Sequence, residues 1–350
     1  MSNSLMKLRS NISYYRKCKK SREKAHQIRK KIIAEKGFSV VDNKTKNQIK
    51  KYCKSVFGSS SYWPWIAVYT EVRGKFLEGW IPDEYYSYKM LPQLNPGKKS
   101  YNSLTKSLEY RIFGEYCIKP LIIIVNNLTY DGNYQIINIE KAKSILNEFD
   151  SEVVIKKDAG LSGKAVNFMH SKSIDPGKWL GTGSYIIQPV VKQHESISKI
   201  YPHSVNTIRV MTYMDSNSNV NISCIVFRVG SNLSRLDNVA TGGRLLALDS
   251  NGQSSSHAYN NIGTAFETHH PDTGFCYKDI SIPSIDSIKD FCIEAHYKYP
   301  YVGIVGWDVY LDEFTKPKLI EWNANHPVFW ILEAIVGPMY DVKELLRRIK

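Results

Sequence analysis

The sequence predicts an α+β protein built from two or three packed units. The chain has 350 residues, whereas domains average roughly 150 residues, so one ordinary core would not hold it. Its composition is globular, with 43% hydrophobic and 23% charged residues, which excludes disorder, collagen and coiled coil for most of its length. Runs typical of strands and of helices follow one another in mixed order, which favours α+β units over a regular βαβ winding.

The positive charge of the chain is concentrated at its beginning. The formal net charge is +14, and residues 1–54 hold 17 Lys and Arg residues against only Glu23, Glu35 and Asp42. This segment therefore accounts for the whole excess, and residues 55–350 sum to zero. We predict that the basic character belongs to an N-terminal segment and not to the enzyme-sized body.

Apolar residues recur at helical spacing within this basic segment. They are Leu5, Leu8, Ile12 and Tyr15, then Ala25, Ile28 and Ile32, and Gly37 follows. The spacing predicts an amphipathic helix that ends at the glycine. Three roles remain open for it: a solvated helix packed on the body, a basic surface for anionic lipid, and nucleic-acid binding. The last is disfavoured, because the body has no basic groove and no recognisable nucleic-acid-binding module.

Neither a membrane span nor a secretion signal is predicted. The longest apolar run, residues 121–125, is the size of a strand, and the N-terminus has no apolar region of the kind a signal peptide needs. The six cysteines show no C-x-x-C spacing, so we expect reduced thiols and a cytoplasmic protein: Cys18, Cys53, Cys117, Cys224, Cys276 and Cys292.

The body begins with an aromatic and proline-rich stretch, residues 62–96, which predicts an irregular cap or partner surface. Residues 102–116 can form a helix, residues 121–125 a strand, and the apolar spacing from Ile139 to Phe149 a second helix. Beyond residue 150 the pattern predicts strands at 153–157, 185–191, 207–213, 220–229, 243–248, 302–310 and 318–322.

Two of these segments have features of a nucleotide site. The strand from Glu152 delivers Lys156 and Lys157 into the small-residue loop around Gly160–Gly163, where backbone N–H groups could approach a phosphate. A hairpin with a flexible turn is the alternative. The run Tyr185–Val191 is interrupted by Gln188-Pro189, and such a break exposes main-chain groups that can read an adenine edge. By itself this break also fits a purely structural role.

Charged residues interrupt the later strands. Arg209 and Arg228 lie among apolar or neutral neighbours, so each is expected either to contact an anion or to form a salt bridge within the fold. Asp308 is predicted to lie opposite Glu321, and strand alternation places Glu321, Asn323 and Asn325 on one face. Oxygen-bearing side chains grouped in this way suit Mg²⁺, although a fortuitous polar pair is the alternative.

Taken together, the segments resemble the ATP-grasp superfamily, and most closely its sugar-transfer-associated family. The resemblance covers about residues 62–330. The motifs occur in the family's order, as Gln188-Pro189-Val190-Val191-Lys192-Gln193-His194, Ser204-Val205-Asn206-Thr207-Ile208-Arg209, Asp237-Asn238 with Gly242-Gly243, His270-Pro271-Asp272-Thr273-Gly274, Gly306-Trp307-Asp308 and Glu321-Trp322-Asn323-Ala324-Asn325.

The resemblance implies an ATP-grasp fold, in which two α+β subdomains grip Mg-ATP between them. Residues 1–54 would then be a basic helical segment and 55–135 an aromatic-rich cap. Residues 136–190 would be the small subdomain, and 191–350 the large subdomain with the Mg²⁺ site.

The resemblance also implies roles for individual residues. Those that would bind ATP are Lys106, Lys156, Gly160, Ser162, Gly163, Gln188, Val191 and, by its spacing from the hinge at residues 188–191, Glu195. Arg209 and Arg228 would act on the transferred phosphoryl group, and the Mg²⁺ ligands would be Asp308, Glu321 and Asn323. Relatives usually carry proline after the strand lysine, where this chain has Lys157, so Lys156 and Lys157 both remain candidates for the phosphate contact.

The activity that the resemblance implies is ATP-dependent carboxylate–amine ligation through an acyl phosphate. We expect a small-molecule or lipid-linked sugar carboxylate, or an amino acid, and an amine as substrates in surface polysaccharide biosynthesis. The alternatives are a kinase that stops at phosphoryl transfer and a non-catalytic nucleotide-binding scaffold for glycosyl transfer. Residues 1–36 could hold the protein at the anionic inner face of a membrane.

Overall fold

Two antiparallel sheets and a set of surrounding helices make up the protein. A computed structural model describes residues 3–158, 166–235, 237 and 242–349. The strands are β1 (Ile122–Val125), β2 (Leu128–Asp131), β3 (Glu152–Lys157), β4 (Val166–His170), β5 (Ser184–Pro189), β6 (Thr207–Met214), β7 (Val220–Val229), β8 (Arg244–Ala247), β9 (Ala258–Tyr259), β10 (Ala265–Glu267), β11 (Ile304–Leu311) and β12 (Pro317–Asn323).

The α-helices are α1 (Asn3–Lys36), α2 (Asn43–Phe57), α3 (Trp63–Arg73), α4 (Asp83–Tyr85), α5 (Leu91–Leu94), α6 (Gly97–Ser100), α7 (Glu109–Phe113), α8 (Ile139–Phe149), α9 (Glu195–Ser198), α10 (Ile285–Lys298), α11 (Trp330–Val336) and α12 (Val342–Arg348). The segment Tyr86–Met90 is a π-helix. Short 3₁₀ turns occur at Ser60–Tyr62, Tyr101–Leu104, Lys106–Leu108, Gly114–Tyr116, Ser171–Ser173, Pro176–Trp179 and Tyr277–Asp279.

The smaller sheet has the strand order β2-β1-β5-β3-β4, and the larger has the order β10-β9-β8-β7-β6-β11-β12. All strand pairs are antiparallel, as expected for α+β units. The predicted α+β class is therefore confirmed, and each strand predicted beyond residue 150 is found within two residues of its expected bounds.

The predicted helix over residues 102–116 is wrong. The structure divides this stretch into short helical turns, because the backbone leaves the helical region at Thr105 (φ −107°, ψ 89°) and again at Gly114 (φ 60°). Ser107 contributes to the break, since its backbone N–H and its hydroxyl both donate to the Asp158 carboxylate, at 2.7 and 2.6 Å. Side-chain bonds of this kind compete with a continuous helix.

The N-terminal helix packs on the body with its second half. Ala25, Ile28 and Ile32 are buried in one cluster with α3, and the helix ends at Gly37, whose φ of 78° closes it. Ile12 and Tyr15 are exposed by 44% and 70%. The side chains of Leu5 and Leu8 lie outside the described ones. The interpretation of a helix laid on the body is thus correct for its second half.

The aromatic stretch after α2 is a packed layer of helices. Trp65, Trp80 and Tyr86 are fully buried, and α3 packs against α11 near the C-terminus. Glu333 of α11 joins the two regions, since its carboxylate accepts hydrogen bonds from the backbone N–H of Ile81 at 3.0 Å and of Met339 at 3.1 Å. These aromatic side chains therefore serve packing.

The strands on either side of the expected boundary at residues 135/136 belong to one sheet. β1 pairs with β5, with Ile123 opposite Ile186, while α8 covers the outer face of the same sheet. β5 ends at Pro189, next to the boundary expected at residues 190/191, and the chain then passes to the seven-stranded sheet. The assignment of functions to these segments stays a prediction.

The seven-stranded sheet has one face that is only partly covered by helices. Its other face packs Val210, Phe227 and Trp307 against α10. On the partly covered face, Met211, Val226 and Ile304 lie under α3 and α11. By strand alternation, Arg209, Arg228 and Asp308 lie on this same face, at the end that the helices leave uncovered. The candidate site begins there.

Candidate active site

A pocket of about 380 Å³ lies between the two sheets. The five-stranded sheet and the chain after it contribute a largely apolar wall, and the seven-stranded sheet contributes a charged wall. The lining residues include Val154, Lys156, Lys157, Val166, Phe168, Pro189 and Val191 on the first side, and Lys106, Thr207, Arg209, Arg228, Asp237, Asp308, Ile320, Glu321 and Asn323 on the second. Most of the residues singled out in the sequence thus meet in one place.

Asp308 is the centre of a buried charge network. Its carboxylate accepts two hydrogen bonds from Arg209, at 2.6 and 2.8 Å, and one from Arg228 at 2.8 Å. Arg228 also donates to Asp237 at 3.2 Å, and Asp237 accepts from the hydroxyl of Thr207. Burial alone would raise the pKa of Asp308, but the two arginines lower it to about 2, so this carboxylate stays ionised.

The β11–β12 pair brings the second carboxylate to the same place. Asp308 is the register partner of Glu321, and the pairing then shifts so that Val309 is opposite Leu319. This bulge at Ile320 re-aims the strand, and Ile320, Glu321 and Asn323 all line the pocket. Glu321 accepts a hydrogen bond from the Lys106 ammonium at 3.1 Å. Burial opposes the charge of Lys106, but Glu321 and nearby carboxylates outweigh it and raise the pKa of Lys106.

The predicted metal ligands fit a hard cation by their chemistry. Asp308 and Glu321 supply carboxylate oxygens and Asn323 an amide oxygen, which are donors that Mg²⁺ accepts. The Asn323 amide lies beside Asp308, to which its nitrogen donates at 3.3 Å. Within the described part of the chain, no three His, Cys, Asp or Glu side chains form a cluster able to hold a metal, so such a site depends on Asn323 as its third ligand.

The two candidate lysines of β3 differ in their surroundings. Strand alternation places Lys156 on the same face as Val154, which lines the pocket, whereas Ile155 and Val153 face α8. The ammonium of Lys157, which also reaches the pocket, lies 5.8 Å from the ring centroid of Tyr185. The loop residues Gly160, Ser162 and Gly163, expected to cover the phosphates, lie outside the described residues.

The predicted hinge lies at the edge of the pocket. Val191 lines it, while the side chain of Gln188 is buried and donates to the carbonyl oxygen of Ile118 at 2.9 Å. Gln188 therefore ties the hinge to the chain before β1. Glu195 is exposed at the start of α9 and is not among the lining residues, so the structure does not bring it into the pocket.

Glu109 is a buried carboxylate near the pocket segment that the sequence reasoning did not single out. Burial raises its pKa to about 8. Its position three residues after Lys106 in a helical stretch was the available signal. His270 belongs to one of the family motifs, and its side chain is fully buried. Its ring donates to the carbonyl of Gly230 at 2.8 Å and accepts from the N–H of Asp272 at 3.2 Å.

Comparisons with known proteins agree with the motifs. Residues 177–338 match the family described as sugar-transfer associated ATP-grasp. No curated protein matches the chain. The family match contains all the motifs quoted from the sequence, from Gln188 to Asn325.

Several solved structures are similar to the chain at low identity. One is biotin carboxylase from Campylobacter jejuni in complex with a nucleotide, with 14% identity, a TM-score of 0.46, and coverage of 73% of this chain and 48% of that one. Another is the ATP-grasp ligase PsnB with Mg and ADP, with 16% identity, a TM-score of 0.42, and coverage of 73% and 62%. A third is D-alanyl-alanine synthetase A from Vibrio cholerae, with 13% identity, a TM-score of 0.41, and coverage of 71% and 64%.

The matched region thus spans about half to just under two thirds of those proteins. The similarity to the family rests on the sequence match, which agrees with the motif order and with the sheet register that brings Asp308 and Glu321 together. Residues 177–338, just under half of the chain, are therefore similar to the sugar-transfer associated ATP-grasp family.

Proposed function

We propose that this protein is an ATP-dependent carboxylate–amine ligase that works through an acyl phosphate. The observation that carries the proposal is the pocket between the sheets, which six cationic side chains line together with the carboxylates of Asp237, Asp308 and Glu321. The cations are Lys106, Lys156, Lys157, Arg209, Arg228 and Arg235. Because residues 55–350 are neutral as a whole, this local collection of charge fits a polyphosphate ligand.

The apolar wall fits the base of the nucleotide. Val154, Val166 and Val191 line the pocket with apolar side chains next to the Gln188-Pro189 hinge, where main-chain groups would be available to an adenine edge. Lys156, on the same strand face as Val154, is our choice for the phosphate contact, while Lys157 has the ring of Tyr185 beside it.

Asp308, Glu321 and Asn323 are the residues that would hold Mg²⁺. When bound, the ion would neutralise charge on the phosphate oxygens of ATP. Asp308 already holds both arginines, so the same carboxylate would orient Arg209 and Arg228 at the phosphoryl group. The ionised state of Asp308, with its pKa of about 2, fits both uses.

In the proposed reaction, a substrate carboxylate oxygen attacks the γ-phosphorus and ADP leaves, which gives an acyl phosphate. An amine then attacks the acyl carbon, inorganic phosphate departs and the amine loses a proton, which leaves an amide. This chemistry needs positioning and charge neutralisation more than a protein nucleophile. The carboxylate belongs to a sugar acid or an amino acid used in surface polysaccharide assembly, a substrate class supported by the family description of the matched segment.

A substrate screen tests this proposal. Purified protein is incubated with Mg-ATP and a panel of uronic acids and amino acids, each with and without an amine, while ADP, phosphate and organic products are measured by mass spectrometry. We expect ADP, phosphate and a new amide in equal amounts. A stable phosphorylated product without amide would indicate the kinase, and nucleotide binding without any ATP consumption would indicate the scaffold.

We also propose that the basic N-terminal helix holds the protein at an anionic membrane surface on the cytoplasmic side. The described residues contain no helix that is both long and apolar enough to cross a membrane. In the first half of α1, however, Ile12 and Tyr15 are exposed beside four exposed cations, Arg16, Lys17, Lys19 and Lys20. Apolar and basic side chains in one place suit a surface of anionic lipid.

Charge substitution tests the membrane proposal better than truncation, because removing residues 1–36 would take Ala25, Ile28 and Ile32 out of the core. Each basic residue contributes about 1 kcal/mol near anionic lipid, so changing all four to Gln should weaken binding to phosphatidylserine vesicles at least tenfold. The matched control changes four exposed lysines elsewhere to Gln, namely Lys119, Lys278, Lys316 and Lys343. Equal binding by both variants would refute a membrane role for α1.

A further inference from the structure

The carboxylates of the pocket are already engaged, although the proposed reaction needs a proton acceptor. When the amine attacks the acyl carbon, its nitrogen must lose a proton, and a positioned base speeds such a step. The pocket carboxylates are Asp237, Asp308 and Glu321. Asp308 accepts hydrogen bonds from two arginines, Asp237 from an arginine and a threonine hydroxyl, and Glu321 from a lysine. All three are therefore poor acceptors for a proton from a substrate amine.

A histidine of the pocket wall is available for this task. His326 lines the pocket, is exposed, and lies three residues after Asn323. Its imidazole has no hydrogen-bond or ion-pair partner among the residues that the structure describes. Imidazole is the side chain that most often serves as a general base near neutral pH. His326 can therefore meet a substrate without first giving up a contact within the fold.

The chain is fixed on both sides of His326. Before it, the backbone N–H groups of residues 324 and 325 donate to the hydroxyl of Ser103, at 3.1 and 3.2 Å. After it, the ring of Phe329 stacks on the ring of Tyr86, with centroids 3.9 Å apart. These contacts hold the backbone and leave the imidazole itself unengaged, which is the arrangement that a base acting on substrate requires.

Side chains alternate between pocket and core along this segment. His326 and Val328 are exposed and line the pocket, whereas Pro327 and Phe329 are buried. The segment directly continues the strand that carries Asn323, one of the residues that would hold Mg²⁺. His326 therefore shares the pocket with the groups that would act on the phosphoryl group, and the acyl group is bonded to that phosphoryl group in the intermediate.

We propose that His326 is the general base of the amide-forming step. This inference rests on the proposed function, because it needs an acyl phosphate in the pocket. The C–N bond forms, the bond from the acyl carbon to the phosphate oxygen breaks, and phosphate leaves with the electron pair. An imidazole nitrogen of His326 takes the proton from the attacking nitrogen and passes it to phosphate or solvent. The first step needs no base, because an ionised carboxylate attacks the γ-phosphorus.

The test compares two nucleophiles. The full chain, as wild type or His326→Gln, is incubated at neutral pH with Mg-ATP and the acid and primary amine that give the most amide in the substrate screen. Parallel reactions replace the amine with hydroxylamine, whose nitrogen is largely unprotonated and attacks acyl phosphates without a base. We expect His326→Gln to form amide about a hundredfold more slowly, with a less than twofold change in hydroxamate formation.

Two controls separate a base from a structural role. His257→Gln changes an exposed histidine beside Ser256 that is not among the pocket-lining residues, and it should leave both products unchanged. Added imidazole should restore part of the amide formation in His326→Ala, since a free base can replace a lost one at an exposed position.

The outcomes distinguish this inference from the proposed function. Amide formation by His326→Gln at the wild-type rate would overturn the role of His326. An equal loss of amide and hydroxamate would overturn it as well, because the variant would then impair acyl phosphate formation. If the wild type formed neither product, or hydroxamate without amide, the proposed function itself would be refuted, and this inference with it.

Discussion

The substitution Asp308→Asn should destabilise the fold, because it removes a charge on which two arginines depend. The side chains of Arg209 and Arg228 are only 8% and 16% exposed. Arg228 keeps Asp237 as a partner, so Arg209 is the cation left without a carboxylate. An asparagine has the same shape but only one acceptor oxygen, and its amide nitrogen would face a guanidinium donor.

Removing one member of a buried ion pair costs about 3–5 kcal/mol. We expect about 3 kcal/mol for Asp308→Asn, at the lower end, because the remaining oxygen still accepts and Arg228 stays paired. Urea unfolding followed by tryptophan fluorescence measures this, since Trp307 and Trp322 are buried in the same sheet. The matched control is Asp286→Asn, an 87% exposed partner of Lys289, which should cost less than about 1 kcal/mol.

The difference in unfolding free energy between the wild type and Asp308→Asn should also depend on pH in a defined direction. The pKa of Asp308 is about 2 in the folded protein, below the value of about 3.9 in an unfolded chain. Its stabilising contribution is therefore fully present above pH 4 and is lost as the pH falls towards 2. With EDTA present, the gap between wild type and Asp308→Asn should shrink by roughly 2–3 kcal/mol between pH 5 and pH 2. This account of the contacts between Asp308 and the two arginines would be refuted if Asp308→Asn lost no more stability than Asp286→Asn. It would also be refuted if the stability difference between wild type and Asp308→Asn grew as the pH fell.

Two further substitutions separate function from stability. Glu321→Gln should raise the Mg²⁺ concentration needed for half-maximal AMPPNP binding at least roughly tenfold. It should cost less stability than Asp308→Asn, because Glu321 is 35% exposed and the glutamine oxygen can still accept a hydrogen bond from the Lys106 ammonium. Unchanged Mg²⁺ dependence would remove Glu321 from the metal site. Glu333→Gln should cost about 1–3 kcal/mol in urea unfolding, because an amide nitrogen would then face the N–H group of Ile81 or Met339. If Glu333→Gln had the same unfolding free energy as the wild type, the hydrogen bonds described from Ile81 and Met339 to this carboxylate would be contradicted.

Much of the site could be predicted from the sequence where strand periodicity applied. Alternation along two strands was enough to place Asp308 opposite Glu321, and the register confirms this pairing. From the sequence alone, Arg209 could either form a salt bridge within the fold or contact an anion. The structure shows the salt bridge to Asp308, and an anion contact stays a proposal. The register between two neighbouring strands follows from their local sequence pattern. The ion-pair partner of a charged side chain, in contrast, depends on strands that are distant in the sequence.

Other features depended on contacts that no local pattern reveals. The helix expected over residues 102–116 is interrupted because Ser107 binds Asp158, a residue 51 positions away. The apolar spacing of α1 correctly predicted a helix, but its burial depends on packing against α3, where the indole N–H of Trp65 donates to Ser21 of α1 at 2.9 Å.

The measurement that tests the central claim most directly follows oxygen from the carboxylate to phosphate. Protein, Mg-ATP, an amine and a substrate acid labelled with ¹⁸O in its carboxylate are incubated, and the released phosphate is analysed by mass spectrometry. An acyl phosphate requires that one labelled oxygen appears in the phosphate for each amide formed. Amide formation with unlabelled phosphate would contradict the account.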